Sequence, residues 1–264
     1  MLKFYTTLSS LCLLLSSHCV QSEQIPHWQH KSYIHTSFTQ IALQGEHSKS
    51  DGRLHKWQRP IVFSLRDQTG DHLLHKKMVT QQFKHLSAIT GHPISPAKNS
   101  QNANVTIMFS TEQNLDSDLL KSMGITNPTF RQSLNHNSVC MAQISYDHSA
   151  NINRAIVIIP VDRARAHGKL MACVVEELTQ IMGLPNDSTD VYPSIFNDHS
   201  FNNFLTGLDY LLLQLLYSDV LKSGMTGEEV EQQIHTITQT EAFSERIKHA
   251  EGLVRQHSLE NWLD

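Results

Sequence analysis

No stretch of this sequence approaches the roughly 20 consecutive apolar residues that a membrane-spanning helix needs. The nearest, residues 8–15, is far shorter and sits at the very start. Charge of one sign is also scarce. A formal net charge of −4, with 17% charged residues and no basic stripe, argues against a nucleic-acid partner. Cysteine is nearly absent, with four in 264 residues, which rules out a dense disulfide framework. What remains is an ordinary apolar content of 39%, enough to bury a core.

The first residues have the pattern of an export signal. Lys3 precedes the apolar stretch 8–15, and Val20 and Ser22 stand at the −3 and −1 positions of a cleavage site before Glu23. A signal peptide over residues 1–22 and a periplasmic or secreted protein are therefore expected. Cys19 follows Ser16, Ser17 and His18, a poor lipid-attachment box. Cleavage removes Cys12 and Cys19 and leaves Cys140 and Cys173, read as a disulfide rather than a catalytic pair. Cys173 is spaced to share a helix face with Glu177 and Gln180, so a thiol nucleophile is the competing reading.

Histidine is plentiful, at 17 residues. Most lie among Lys, Gln and Ser, and His72, His75 and His85 are expected at the solvated surface. Residues 23–55, which include His27, His30 and His35, are polar and without clear period; they are expected to form an extended arm or partly ordered loop.

Regular structure is expected from residue 60 onward. A β-rich run at 60–65 leads to a helix capped by Thr69, with Leu73, Leu74, Met78, Val79, Phe83, Leu86 and Ile89 at helical spacing up to Gly91. A strand follows at 105–109, then a polar stretch at 111–138 with a short helix around Leu119. Strands at 139–144 and 155–161 come next, the second apolar throughout, as in a strand covered on both faces. A helix is expected over 163–182, stopped by Gly183 and Pro185. Thr206 with Asp209 and Thr226 with Glu229 each form a capping box for a further helix. The order predicts an α+β fold, a mixed sheet with helices packed on it. One domain at 56–225 would carry a helical extension at 226–264 packed on the same body.

The helix and turn 175–187 carry the chemistry. Glu176 and Gln180 are four apart and lie one above the other, the spacing at which two histidines hold zinc in H-E-x-x-H. Glu177 stands where that motif has its general base. The longer metzincin pattern H-E-x-x-H-x-x-G-x-x-H overlays Glu176, Glu177, Gln180, Gly183 and Asn186, with Asp187 beside the third ligand position. The segment thus resembles the active-site helix of a metzincin-type zinc metallopeptidase. Ser194, Ile195 and Phe196 are similar to the Met-turn, with Phe196 at the methionine position. Residues 205–209 with 215–217 resemble the helix that closes such a domain. A closer resemblance is to an uncharacterised family of exported proteobacterial proteins. It shares a Cys-x-x-Glu-Glu-x-x-Gln-x-x-Gly-Leu-x-Asn-Asp string, here 173–187, ahead of Ser-Ile-Phe and a Leu-Thr-x-x-Asp helix. That likeness covers about residues 60–225 and implies a metzincin-like fold, with no established activity.

The departures bear on chemistry. All three ligand histidines are replaced, and zinc prefers imidazole, thiolate or carboxylate over amides. Zinc is disfavoured and no cofactor is expected; oxygen ligands of this kind would form at most a weak calcium or magnesium site. Without zinc, water keeps its ordinary high pKa and Glu177 has no activated nucleophile to deprotonate. The expected function is a non-catalytic binding or envelope-associated module for a polypeptide or envelope polymer. The cleft would be marked by Glu176, Gln180, Asn186 and Asp187, and supported by Cys140, Cys173, Gly183, Ser194 and Phe196. The alternative is a peptidase-like hydrolase with Glu177 as general base.

Overall fold

The computed structural model describes residues 25–45, 50–197, 199 and 201–262. The signal peptide expected at 1–22 lies outside the described residues.

The segment expected to be an arm instead supplies a helix, α1 (Lys31–Leu43), with Ile34, Phe38 and Ile41 fully buried. These three stand at i, i+4 and i+7, one stripe of a helix. Ser, Thr and His on the other faces dilute the stripe in any composition-based reading.

After α1 the chain runs through β1 (Lys56–Trp57), β2 (Ile61–Asp67), α2 (His72–Thr90), β3 (Ile94–Pro96) and β4 (Val105–Ser110). Next come α3 (Leu115–Lys121), α4 (Pro128–Asn137), β5 (Met141–Tyr146) and β6 (Asn151–Pro160). The remaining helices are α5 (Val161–Ala166), α6 (Leu170–Gln180), α7 (Gly207–Leu216), α8 (Gly227–Thr238) and α9 (Glu241–Val254).

Five strands form the path β1-β6-β4-β2-β3, all parallel, and β5 pairs antiparallel with β6. The fold is thus the α+β arrangement of a mixed sheet with packed helices. Leu65, Ile107 and Val157 are in register across the three central strands. Alternate residues serve opposite faces. Ile107, Phe109, Val157 and Ile159 join the main core with α1, α2, α6 and α7, while Met108, Ile156 and Ile158 meet Leu115, Leu119 and Leu134 on the other side. Both faces are covered, which is why β6 is apolar from Ala155 to Ile159. The described residues contain no helix long and apolar enough to cross a membrane.

Three further expectations need correction. The helix expected over 163–182 is two helices, α5 and α6, divided at Gly168, whose φ of 67° is one that glycine adopts without strain. On α2, Leu73 and Leu74 are exposed (79% and 41%), while His75 and His85 are buried (0% and 1%). His75 tolerates burial because its Nδ1 lies 2.8 Å from Asp67 Oδ2 and its ring stacks on Phe109 at 4.1 Å. Burial pushes the Asp67 carboxyl up, but hydrogen bonds from His75, Thr69 and His72 outweigh it and hold the group at about 2. Thr69 is engaged in that network, and Asp71 occupies the N-cap of α2.

Candidate functional site

A disulfide and two hydrogen bonds fix α6 in place. The Cys140–Cys173 disulfide joins the entry of β5 to the first turn of the helix. At its C-terminal end, Trp57 Nε1 donates to the Ile181 carbonyl at 2.7 Å and the Tyr217 hydroxyl to the Met182 carbonyl at 2.9 Å. These bonds satisfy acceptors that a helix end leaves open. Gly183 follows with φ 114°, and a Cβ there would lie 2.2 Å from the His55 carbonyl oxygen. Only glycine lets the loop carrying His55 approach this closely.

The residues singled out in the sequence fall into separate environments. Gln180 is 5% exposed, and its Nε2 donates to Asp187 Oδ1 at 2.9 Å. Asn186 is held by α1: its Nδ2 donates to the Gln40 carbonyl at 3.0 Å and its backbone N–H to the Ile41 carbonyl at 3.2 Å. The Ser188 hydroxyl adds a bond to Gln40 Oε1 at 3.0 Å. Glu177 is 4% exposed and Glu176 half-buried. The structure therefore brings Gln180 and Asp187 together and turns Asn186 toward α1.

Beneath them, Ser194 and Phe196 are fully buried. The Ser194 hydroxyl donates to Asp209 Oδ1 at 2.6 Å, and the Ile195 and Thr206 N–H groups donate to Oδ2 at 3.0 and 2.8 Å. Burial pushes the Asp209 carboxyl up to about 6, against the downward pull of these donors. The capping box of α7 thus also anchors the Ser-Ile-Phe turn.

A cavity of about 300 Å³ opens between β5, α4 and the loop before β1. Its floor is apolar, with Met123, Ile125, Leu134, Met141 and Ile144, and Phe130 stands at the side. Gln44, Gln143 and Gln180 supply polar groups to its wall. Of the residues expected to mark the cleft, Gln180 is the one that lines it. No other strand pairs with the outer edge of β5 among the described residues.

Sequence reasoning missed the polar end of this cavity. His55 is 5% exposed, with Nε2 3.0 Å from Asp51 Oδ1 and Nδ1 3.1 Å from the Ala150 carbonyl. Burial pushes the Asp51 carboxyl up, but bonds from His55 and the Arg53 N–H bring it below the usual range. Tyr146 stacks on the His55 ring at 3.9 Å. A second, more open cavity of about 480 Å³ adjoins it, lined by Asp51, Arg53, Tyr146, Asp147, His148 and Asn153 among others. The one signal available was Asp51 four residues before His55. Among the described residues, no three His, Cys, Asp or Glu side chains converge in a way that could hold a metal ion.

A family model covering residues 31–236 matches this chain. The chain belongs to the family described as Protein of unknown function (DUF2927). The matched unit begins at the first residue of α1 and runs into α8, so the buried N-terminal helix belongs to the family's common structure. No curated protein and no solved structure matches the chain.

Proposed function

We propose that this chain is a non-catalytic, exported binding module that holds a linear polymer, either a polypeptide or an envelope polymer, in the cleft along β5. We take the 176–186 segment as a metzincin-type motif in which Glu176, Gln180 and Asn186 stand in place of the three ligand histidines. The observation that carries the reading is the cleft itself: an apolar floor, an amide-bearing wall and a strand edge to which no other described strand pairs. Ligand pockets combine these features, a largely apolar lining with a few placed polar groups. At the old ligand positions, Gln180 is committed to Asp187 and Asn186 to α1. The Cys140–Cys173 bond suits an oxidising compartment outside the cytoplasm.

The test is fluorescence polarisation of the full chain with two labelled probes, a mixed peptide pool and a pool of cell-envelope oligosaccharides. Saturable binding of one pool is expected, lost in Phe130→Ser at unchanged melting temperature and retained in Glu177→Gln. Binding indifferent to Phe130→Ser, or product formed from either pool, would overturn the reading.

A further inference from the structure

Tyr146, the last residue of β5, lines both cavities. Its ring lies on His55 with 28° between the planes, and His55 is held at both of its nitrogens. The histidine is buried, whereas Tyr146 is 46% exposed. One face of the tyrosine thus rests on a support fixed at two points, and the other stands open between the cavities. An aromatic ring so placed offers a flat apolar surface with a hydroxyl at its edge.

The first cavity is lined mostly by neutral groups, whereas the second carries Asp51, Arg53, Asp147 and His148 beside Asn153. Gln44 and Gln143 border the first cavity and Asn153 the second. Each primary amide presents a donor and an acceptor side by side, a pattern matched by two neighbouring hydroxyls or by an acetamido group. Met141 and Ile144 give the first cavity an apolar floor, on which a methyl group can lose its contact with water.

The nearby carboxylates are already engaged. Asp51 Oδ1 accepts from the Arg53 N–H and faces His55, and Asp147 Oδ1 accepts from the Ser149 and Asn151 N–H groups. Arg53 and His148 line the second cavity and are solvent-exposed. Neither cavity wall holds a buried, uncompensated charge that would call for an ionic ligand.

We infer that the two cavities bind a linear, uncharged glycan bearing acetamido groups, one sugar ring stacked on Tyr146 and the next seated over the apolar floor. This rests on the reading of the β5 cleft as a binding site. It assigns the ligand class and gives Tyr146 the part of a recognition platform.

The experiment is calorimetric titration of the disulfide-bonded full chain with three probes. These are a β-1,4-linked N-acetylglucosamine tetramer, the corresponding glucose tetramer, and a Leu-rich peptide blocked at both ends. The acetylated tetramer is expected to bind saturably, with the glucose tetramer about tenfold weaker or more. Tyr146→Ala is expected to weaken the acetylated tetramer about tenfold, as loss of one stacking contact implies, at unchanged melting temperature. Tyr146→Trp is expected to retain binding. Equal binding of the two tetramers, indifference to Tyr146→Ala, or silence of the acetylated tetramer at millimolar concentration would each overturn the inference. Peptide binding that is lost in Phe130→Ser, with the tetramer silent, would overturn the glycan assignment and leave the cleft reading standing.

Discussion

Gln180 Nε2 donates to Asp187 Oδ1 across 2.9 Å, so the last turn of α6 is tied to the segment that follows it by two side chains. In the resembled zinc motif the position of Gln180 faces a metal. Here its amide supplies a donor to a carboxylate, with Gln180 buried and Asp187 half-buried.

Replacing that amide with a carboxylate tests the pairing. Gln180→Glu sets a second acid against Asp187, and like charges at this distance disfavour the ionised pair. The expected cost at pH 7 is about 1–2 kcal/mol, or a melting temperature lower by about 3–6 °C. The gap to wild type, measured at each pH by scanning calorimetry, is expected to narrow toward pH 4 as one of the acids takes up a proton. A gap that is constant with pH would contradict the assignment.

Gly183 is expected to be intolerant of any side chain. Gly183→Ala places a Cβ 2.2 Å from one backbone atom and 3.2 Å from the next, at a φ of 114°. Neither contact is with a flexible side chain, so relief requires moving the His55 loop. A loss above about 3 kcal/mol follows, read as a fall of about 10 °C in melting temperature.

The disulfide constrains the unfolded chain across a separation of 33 residues. Replacing both cysteines with alanine is expected to cost about 3–4 kcal/mol in urea denaturation, by the loop-entropy relation. Polymer binding should persist in the folded fraction, because the sulfurs belong to the frame and do not line the cleft. Binding abolished in a still-folded double variant would contradict this.

Acid stability turns on His85. Burial is the main cause that lowers its pKa from 6.5 to about 4. Above pH 6.5 the ring is neutral in both states and contributes nothing to the pH dependence. Between about 6.5 and 4 the unfolded chain takes up a proton that the native chain refuses, so stability falls as pH falls. Below about 4 both states are protonated and the loss is complete. Asp209 opposes this, because its native pKa of about 6 lies above its unfolded value. Its contribution is present below the unfolded pKa and is lost as pH rises through 6. His85→Leu is expected to shrink the difference in melting temperature between pH 7 and pH 5, and an unchanged difference would count against the assignment.

Much of the frame was legible in the residues. The apolar run in β6, the stop at Gly183 and the two capping boxes are local signals backed by the packing around them. The pairing of Cys140 with Cys173 was legible too, as these are the two cysteines outside the N-terminal segment. What escaped depends on distant contacts. Ile34, Phe38 and Ile41 mark α1, but their stripe gains meaning only where α7 and α8 pack on it. His75 reads as a surface residue until Asp67 and Phe109 enclose it. The cleft joins residues from the loop before β1, from α4, from β5 and from the end of α6, so no single window of sequence contains it. Asn186 was expected to mark the cleft from its spacing alone; the carbonyl it meets comes from Gln40, 146 residues earlier.

The most direct measurement is turnover of a quenched-fluorescence peptide library by the full chain, in the presence and absence of added zinc, for wild type and Glu177→Gln. The account requires a flat trace in all four conditions, while the polymer-binding signal of the two proteins stays the same. Cleavage by the wild type that disappears in Glu177→Gln would show that Glu177 works as a general base and would contradict the account at its centre.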